Sequence, residues 1–202
     1  MEEEAGMKFS IVQQSVLGGR KYNQDRIGHW STPESLLMVV ADGMGGHAHG
    51  EVAAQVTVDI VGRAFALESR PRLAHPERFL PRLLAAAHAG ILLEAQKRGL
   101  RESPRTVVVA CLVQDGVAHW AHTGDCRLYL FRKGRLHVRT RDHSVVQQLV
   151  DQGRIREEAV ATHPERNRLL QCLGGTQAPR IDVGSERLDR DDRLLLCSDG
   201  LW

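Results

Sequence analysis

Residues 36–54 read LLMVVADGMGGHAHGEVAA: an apolar run, a glycine-rich turn and then a helix-like pattern. The apolar run of residues 36–41 predicts a buried β-strand, and Asp42-Gly43 stands where that strand ends. An aspartate at a strand end can present its carboxylate to a ligand, while the adjacent glycine lets the backbone approach closely. Taken alone, the same Asp-Gly pair also fits a simple tight turn between a strand and a helix.

A second apolar run ends in the same way. Residues 191–202 read DDRLLLCSDGLW, so Asp199-Gly200 follows a strand-like segment, and Asp125 lies in the turn after the predicted strand 117–122. Carboxylate oxygens at strand ends along one edge are the ligands that Mg²⁺ and Mn²⁺ prefer. The repeated pattern favours a metal site over a turn. A phosphate-binding P-loop is set aside, because Gly50-Glu51 stands where that motif needs Lys followed by Ser or Thr.

The order of predicted elements indicates an α+β fold. Helical periodicity runs over 51–68 and about 81–98, with shorter helices expected at 144–152, capped by Ser144, and at 156–161. Asp115-Gly116 and Lys133-Gly134 predict hairpin turns. Strands are expected at 9–16, 36–41, 106–113, 117–122, 127–131, 136–139 and 193–197. Strands and helices do not alternate regularly, which favours antiparallel sheets covered by helices.

Composition narrows the class of protein without naming a function. The 202 residues are 42% hydrophobic and 26% charged, with a formal net charge of +2, which is typical of one globular domain. No long basic run points to nucleic acid, and no apolar run approaches the roughly 20 residues of a membrane span. A cytoplasmic protein is therefore expected. The four cysteines lie far apart, which indicates free buried thiols and no zinc site or disulfide framework.

Several motifs together resemble the protein phosphatase type 2C family, the metal-dependent PPM class, and in particular its bacterial branch. They are GGRKYNQDRIG (18–28), VVADGMGGHAHGEVAA (39–54), HTGDCRLYLFRKGRL (122–136), TRDHSVVQQLVDQG (140–153), HPERNRLLQCLGG (163–175) and LLLCSDGLW (194–202). The resemblance covers residues 8–202, with 1–7 as an N-terminal tail. It implies a four-layer α-β-β-α sandwich of two mainly antiparallel sheets flanked by helices.

The resemblance also implies a ligand set for two, or three, Mn²⁺ or Mg²⁺ ions. Asp42 would bridge two ions, Gly43 would offer its backbone carbonyl, and Asp199 would hold one of the pair. Asp25 resembles the residue that orients metal-bound water. Asp125 resembles the ligand of a third, weaker ion shared with Asp199.

The implied activity is hydrolysis of phosphoserine and phosphothreonine on proteins by a metal-activated water. Arg20 resembles the family's phosphate-binding arginine, and its forked donors suit a phosphate dianion. His47, His49 and His122 do not match the oxygen-ligand positions and are not expected to bind metal. Phosphoproteins, a cognate serine/threonine kinase pathway and a monomeric state are the implied partners and assembly.

The sequence departs from the family pattern at three places, and the last two of them support an alternative, a catalytically inactive type 2C-like regulatory or binding module. Met44 stands where some members carry a candidate general acid, which leaves that role unassigned. Pro104-Arg105-Thr106 replaces the common Gly-Thr-Thr. A further aspartate followed by asparagine, and the last strands, have no match before Trp202, so the domain is expected to be C-terminally incomplete and weakly active.

Overall fold

The computed structural model describes residues 7–44, 49–70 and 72–202. Its elements are β1 (Arg26–Ser31), β2 (Ser35–Gly43), α1 (Gly50–Glu68), α2 (Pro76–Lys97), β3 (Thr106–Gln114), β4 (Val117–Thr123), β5 (Arg127–Arg132), β6 (Arg135–Arg139), α3 (Val145–Asp151), a 3₁₀ helix (Glu157–Thr162), β7 (Asp182–Arg187) and β8 (Arg193–Cys197). One sheet has the order β1-β2-β3-β4-β7 and the other β6-β5-β8, and all pairings between these strands are antiparallel. The α+β fold class with two antiparallel sheets is confirmed.

The five-stranded sheet is buried on both faces, because α1 and α2 cover one face and the small sheet covers the other. Along β2, Leu37 and Val39 face the helices, whereas Leu36 and Val40 face the second sheet. We call these two clusters the helix-side core and the inter-sheet core. Burial on both faces explains the nearly continuous apolar runs of β2 and β3, since each fully buried Val or Leu contributes roughly 1.5–3 kcal/mol.

Helix α1 packs closely on β1 through an aromatic ring. The indole of Trp30 lies where a Cβ atom on Gly62 would stand, 2.2 Å from its nearest ring carbon, and it also covers Gly28. A side chain at either glycine would push the ring out of the helix-side core. The packing therefore fixes α1, and with it the residues that lead from β2 into the helix.

The local turn and cap predictions are confirmed. Asp115-Gly116 and Lys133-Gly134 both adopt positive φ at the two central positions, as the tightest hairpin turns require. Ser144 precedes α3, and its hydroxyl accepts a hydrogen bond from the backbone N–H of Gln147. These features depend on a few neighbouring residues, which is why sequence reasoning finds them.

The predicted strand over residues 9–16 is wrong. Residues 7–17 form no regular secondary structure, because this segment has no partner strand in the part of the chain that the structure describes. The strands β1 and β7 were not predicted. Glycine interrupts both, and they are held by pairing with β2 and β4. Helix α2 begins at Pro76 instead of 81, since proline at the first helical position loses no hydrogen bond.

Within the described residues, no helix combines the length and the apolar character that crossing a membrane requires.

Candidate metal centre

Asp42 is placed by the pairing of β2 with β3. It lies opposite Val107, and the hydroxyl of Thr106 donates to the backbone carbonyl of Asp42 at 2.6 Å. Side chains alternate along a strand, so Asp42 follows Val40 onto the face that carries the inter-sheet core. The carboxylate therefore stands at the end of the sandwich, between the two sheets.

Asp25 lies near Asp42, in the chain segment that leads into β1. Its backbone N–H donates to the side-chain oxygen of Asn23 at 2.9 Å, and one carboxylate oxygen accepts from the Ser198 hydroxyl at 2.8 Å. The charge of Asp25 also acts on Asp42 and raises its pKa. Ser198 directly precedes Asp199, so the fold brings the two ends of the sequence to one place.

Asp125 is held in a tight turn that His143 clamps. The backbone N–H of His143 donates to the carbonyl of Gly124 at 2.8 Å, and the N–H of Gly124 donates to Nδ1 of His143 at 3.2 Å. Gly124 has a φ of 93°, and a Cβ there would stand 2.1 Å from a methyl carbon of Val107. The turn thus needs glycine, and it brings the buried Asp125 close to the residue paired with Asp42.

The four aspartates crowd negative charge together. Burial, followed by the charges of Asp25, Asp199 and Asp125, raises the pKa of Asp42 to about 8. Burial, followed by the charges of Asp199 and Asp142, raises the pKa of Asp125 to about 7. A proton held by Asp42 is a weak substitute for a cation. The donor set, all carboxylate oxygen, fits hard divalent ions such as Mn²⁺ or Mg²⁺.

The structure brings the predicted aspartates together, and it places the predicted arginine in an exposed turn. Asp199 is exposed, yet its charge acts on both Asp42 and Asp125. Arg20 lies in an exposed turn, where its backbone N–H donates to the carbonyl of Leu17.

Gly43 lies so close to Gly50 that a Cβ would stand 2.4 Å from the Gly50 carbonyl carbon. Only glycine can therefore follow Asp42.

A different group lies closer together than the aspartates. Within the described residues, one set of three possible ligand atoms lies within 4.8 Å of one another, and it belongs to His122, His143 and Asp182. The aspartates around Asp42 are more widely spaced. Opposite ligands of one octahedral Mg²⁺ stand only about 4 Å apart, so these aspartates cannot all close on a single ion.

Three nitrogen atoms of the histidine group make polar contacts within the protein. Because the Gly124 N–H donates to Nδ1 of His143, the neutral ring carries its proton on Nε2, which lies 3.1 Å from a carboxylate oxygen of Asp182. A metal would need the lone pair of that nitrogen. His122 hydrogen-bonds through Nε2 to the carbonyl of Arg141, and burial lowers its pKa.

Sequence reasoning missed that His143 positions Asp125, since the contact joins residues far apart in the chain. His49 stands at the start of α1, and His47 lies outside the described residues.

We expect the stability of the metal-free protein to fall, relative to Asp42→Asn, as pH rises from about 4 to about 8. The pKa of Asp42 is raised from 3.8 to about 8, so across this window the folded protein keeps a proton that the unfolded chain has lost. That contribution is present at low pH and is lost as pH rises through the folded pKa. Urea unfolding of both proteins in chelator, at several pH values, measures it. A free-energy difference that does not change with pH would contradict the assignment.

Comparisons with known proteins give consistent matches. The family model described as "Protein phosphatase 2C" matches residues 13–202. A putative protein phosphatase 2C-type of Streptococcus pyogenes is 34% identical over 196 residues, covering 96% of this chain and 79% of the relative. The S. agalactiae serine/threonine phosphatase structure matches with a TM-score of 0.79 and 31% identity, over 90% of this chain and 75% of that one. The catalytic domain of PstP in complex with two manganese ions matches with a TM-score of 0.69 and 33% identity, over 90% and 73%. This chain therefore belongs to the protein phosphatase 2C family.

Proposed function

We propose that this protein hydrolyses phosphoserine and phosphothreonine on proteins, with Mn²⁺ or Mg²⁺ as cofactor. The observation that carries the proposal is the meeting of Asp42 and Asp25 at the end of the sandwich, within the field of Asp125 and Asp199. Carboxylates gathered in this way require cations, and the PstP relative with two manganese ions supports divalent metal as those cations. The proposed catalytic domain spans residues 8–202.

The residues that would hold the ions are Asp42 as the bridging ligand, the backbone carbonyl of Gly43, Asp199 and Asp25, with Asp125 and Asp199 sharing a third, weaker ion. When bound, the ions supply Lewis-acid stabilisation of the phosphoryl group and a water of lowered pKa. No covalent phosphoenzyme is needed.

The chain's own side chains then position the reactants. Asp25 accepts a hydrogen bond from Ser198, which orients its carboxylate so that the second oxygen is left to align a water. Arg20 is proposed to bind the phosphoryl oxygens through its forked donors. Arg20 lies in an exposed turn, so its guanidinium is accessible to a phosphorylated substrate.

The test is metal-dependent release of phosphate. We expect the purified chain to release inorganic phosphate from phosphothreonine and phosphoserine peptides in Mn²⁺, to stop when the metal is chelated, and to recover when Mn²⁺ is restored. A chain that binds Mn²⁺ by calorimetry but releases no phosphate from any peptide would favour the inactive regulatory module, which the Pro104-Arg105-Thr106 departure motivates.

On the family resemblance we also propose the biological setting. The substrates would be phosphorylated proteins, and a serine/threonine kinase would oppose the phosphatase in a bacterial signalling pathway. The protein would act as a monomer in the cytoplasm. Size measurement in solution tests the monomer directly.

A further inference from the structure

Arg105 stands beside Asp42 on the same face of the five-stranded sheet. Asp42 pairs with Val107, and the next backbone contact beyond the ladder runs from the Met44 N–H to the Arg105 carbonyl at 3.0 Å. Side chains two residues apart on a strand share a face, so Arg105 follows Val107 onto the inter-sheet side. A diagonal neighbour of this kind lies roughly 7–8 Å from Asp42 between Cα atoms, within reach of a long side chain.

The neighbours of the Arg105 guanidinium support this direction. Burial raises the pKa of Cys172, and the charge of Arg105 opposes that shift, so the two side chains are close. Cys172 packs against the inter-sheet core. The guanidinium therefore lies on the side of the sheet where the aspartates meet.

One side-chain donor of Arg105 has no partner in the described part of the chain. Its Nε is fully buried and makes no hydrogen bond there. Other arginines in comparable surroundings are paired: Arg127 with Asp142, and Arg132 with Asp192. A buried polar group without a partner costs about 1–3 kcal/mol, and more when it is charged. Such a cost is commonly found where a ligand completes the hydrogen bonding.

Charge balance indicates which ligand fits. Two divalent ions would balance the charge of four aspartates, and a phosphate dianion would then be met by cationic side chains. We propose that Arg105 binds the substrate phosphoryl group, as a second phosphate-binding arginine next to Arg20. This inference rests on the proposed function. It also gives a chemical meaning to the replacement of the common Gly-Thr-Thr by Pro104-Arg105-Thr106.

The test compares Arg105→Met, which keeps the apolar stem, with Arg105→Lys and with Arg101→Ala as a control at a nearby exposed arginine. In Mn²⁺ we expect Arg105→Met to raise KM for a phosphothreonine peptide and the inhibition constant of inorganic phosphate by about tenfold or more. Arg105→Lys should give values of both constants between those of the wild type and Arg105→Met, since lysine keeps the charge but not the forked donors. Arg105→Met should not lower the melting temperature, because it removes a buried donor that has no partner. Mn²⁺ affinity should not change, and Arg101→Ala should match the wild type.

Direct binding separates this inference from the proposed function. A non-hydrolysable phosphonate analogue of the phosphothreonine peptide, titrated calorimetrically with Mn²⁺ present, requires no turnover. Binding weakened by Arg105→Met in a chain without turnover would support the phosphate role and overturn the phosphatase activity. Turnover and phosphonate binding that are both unchanged in Arg105→Met would overturn the inference and leave the activity standing. A wild-type chain that binds no phosphonate would overturn it as well.

Discussion

Asp42→Asn is expected to lower Mn²⁺-dependent phosphate release by about a thousandfold or more. Asparagine keeps the shape of the side chain but removes the charge of the carboxylate proposed to bridge two ions. The cation stabilisation lost with it is worth several kcal/mol in the transition state. Steady-state release of phosphate from a phosphothreonine peptide across a Mn²⁺ titration measures the effect. Added Mn²⁺ should not restore the rate.

The control is Asp59→Asn on the exposed face of α1. Asp59 accepts a hydrogen bond from Gln55 and lies 3.7 Å from Arg63. It has no proposed part in the aspartate cluster. Its loss should change the rate by less than about twofold, because exposed ion pairs contribute at most about 1 kcal/mol. Equal activity of wild type and Asp42→Asn would remove the basis for a metal centre at Asp42.

Asp142→Ala is expected to lower the free energy of unfolding by about 3–5 kcal/mol. Arg127 donates to both carboxylate oxygens of Asp142, from Nε at 2.8 Å and from Nη2 at 2.6 Å. The side chains are only 8% and 3% exposed. Removing the carboxylate leaves a buried guanidinium without its anion. Urea unfolding monitored by circular dichroism gives the value.

Two further variants show whether the buried pair itself causes the loss. Glu68→Ala breaks the exposed pair with Arg82 and should cost at most about 1 kcal/mol. The double variant Arg127→Met with Asp142→Leu replaces both charges with apolar groups and should recover most of the lost stability. A double variant as unstable as Asp142→Ala would show that the loss comes from packing around Asp142 and not from the stranded charge.

The fold class was predictable because its determinants are local. The central parts of β2 and β3, residues 36–41 and 107–113, are apolar at every position, as burial on both faces demands. The Asp-Gly and Lys-Gly turns carry their own conformational preference. The predicted strand at 9–16 was wrong because its formation does not depend on local sequence alone. Its composition suits a strand, but a strand exists only when a neighbour supplies hydrogen bonds. No such neighbour pairs with it among the described residues.

The same distinction divides the candidate site. By itself, the sequence determined which carboxylates stand at strand ends, since Asp42-Gly43 and Asp199-Gly200 each follow an apolar run. Only the tertiary structure decided that Ser198 holds Asp25, that His143 clamps the turn of Asp125, and that Arg105 lies beside Asp42. The reason is physical. Neighbours in the sequence determine whether a residue ends a strand or lies in a turn. Strand register and close packing between distant segments determine which side chains that residue contacts.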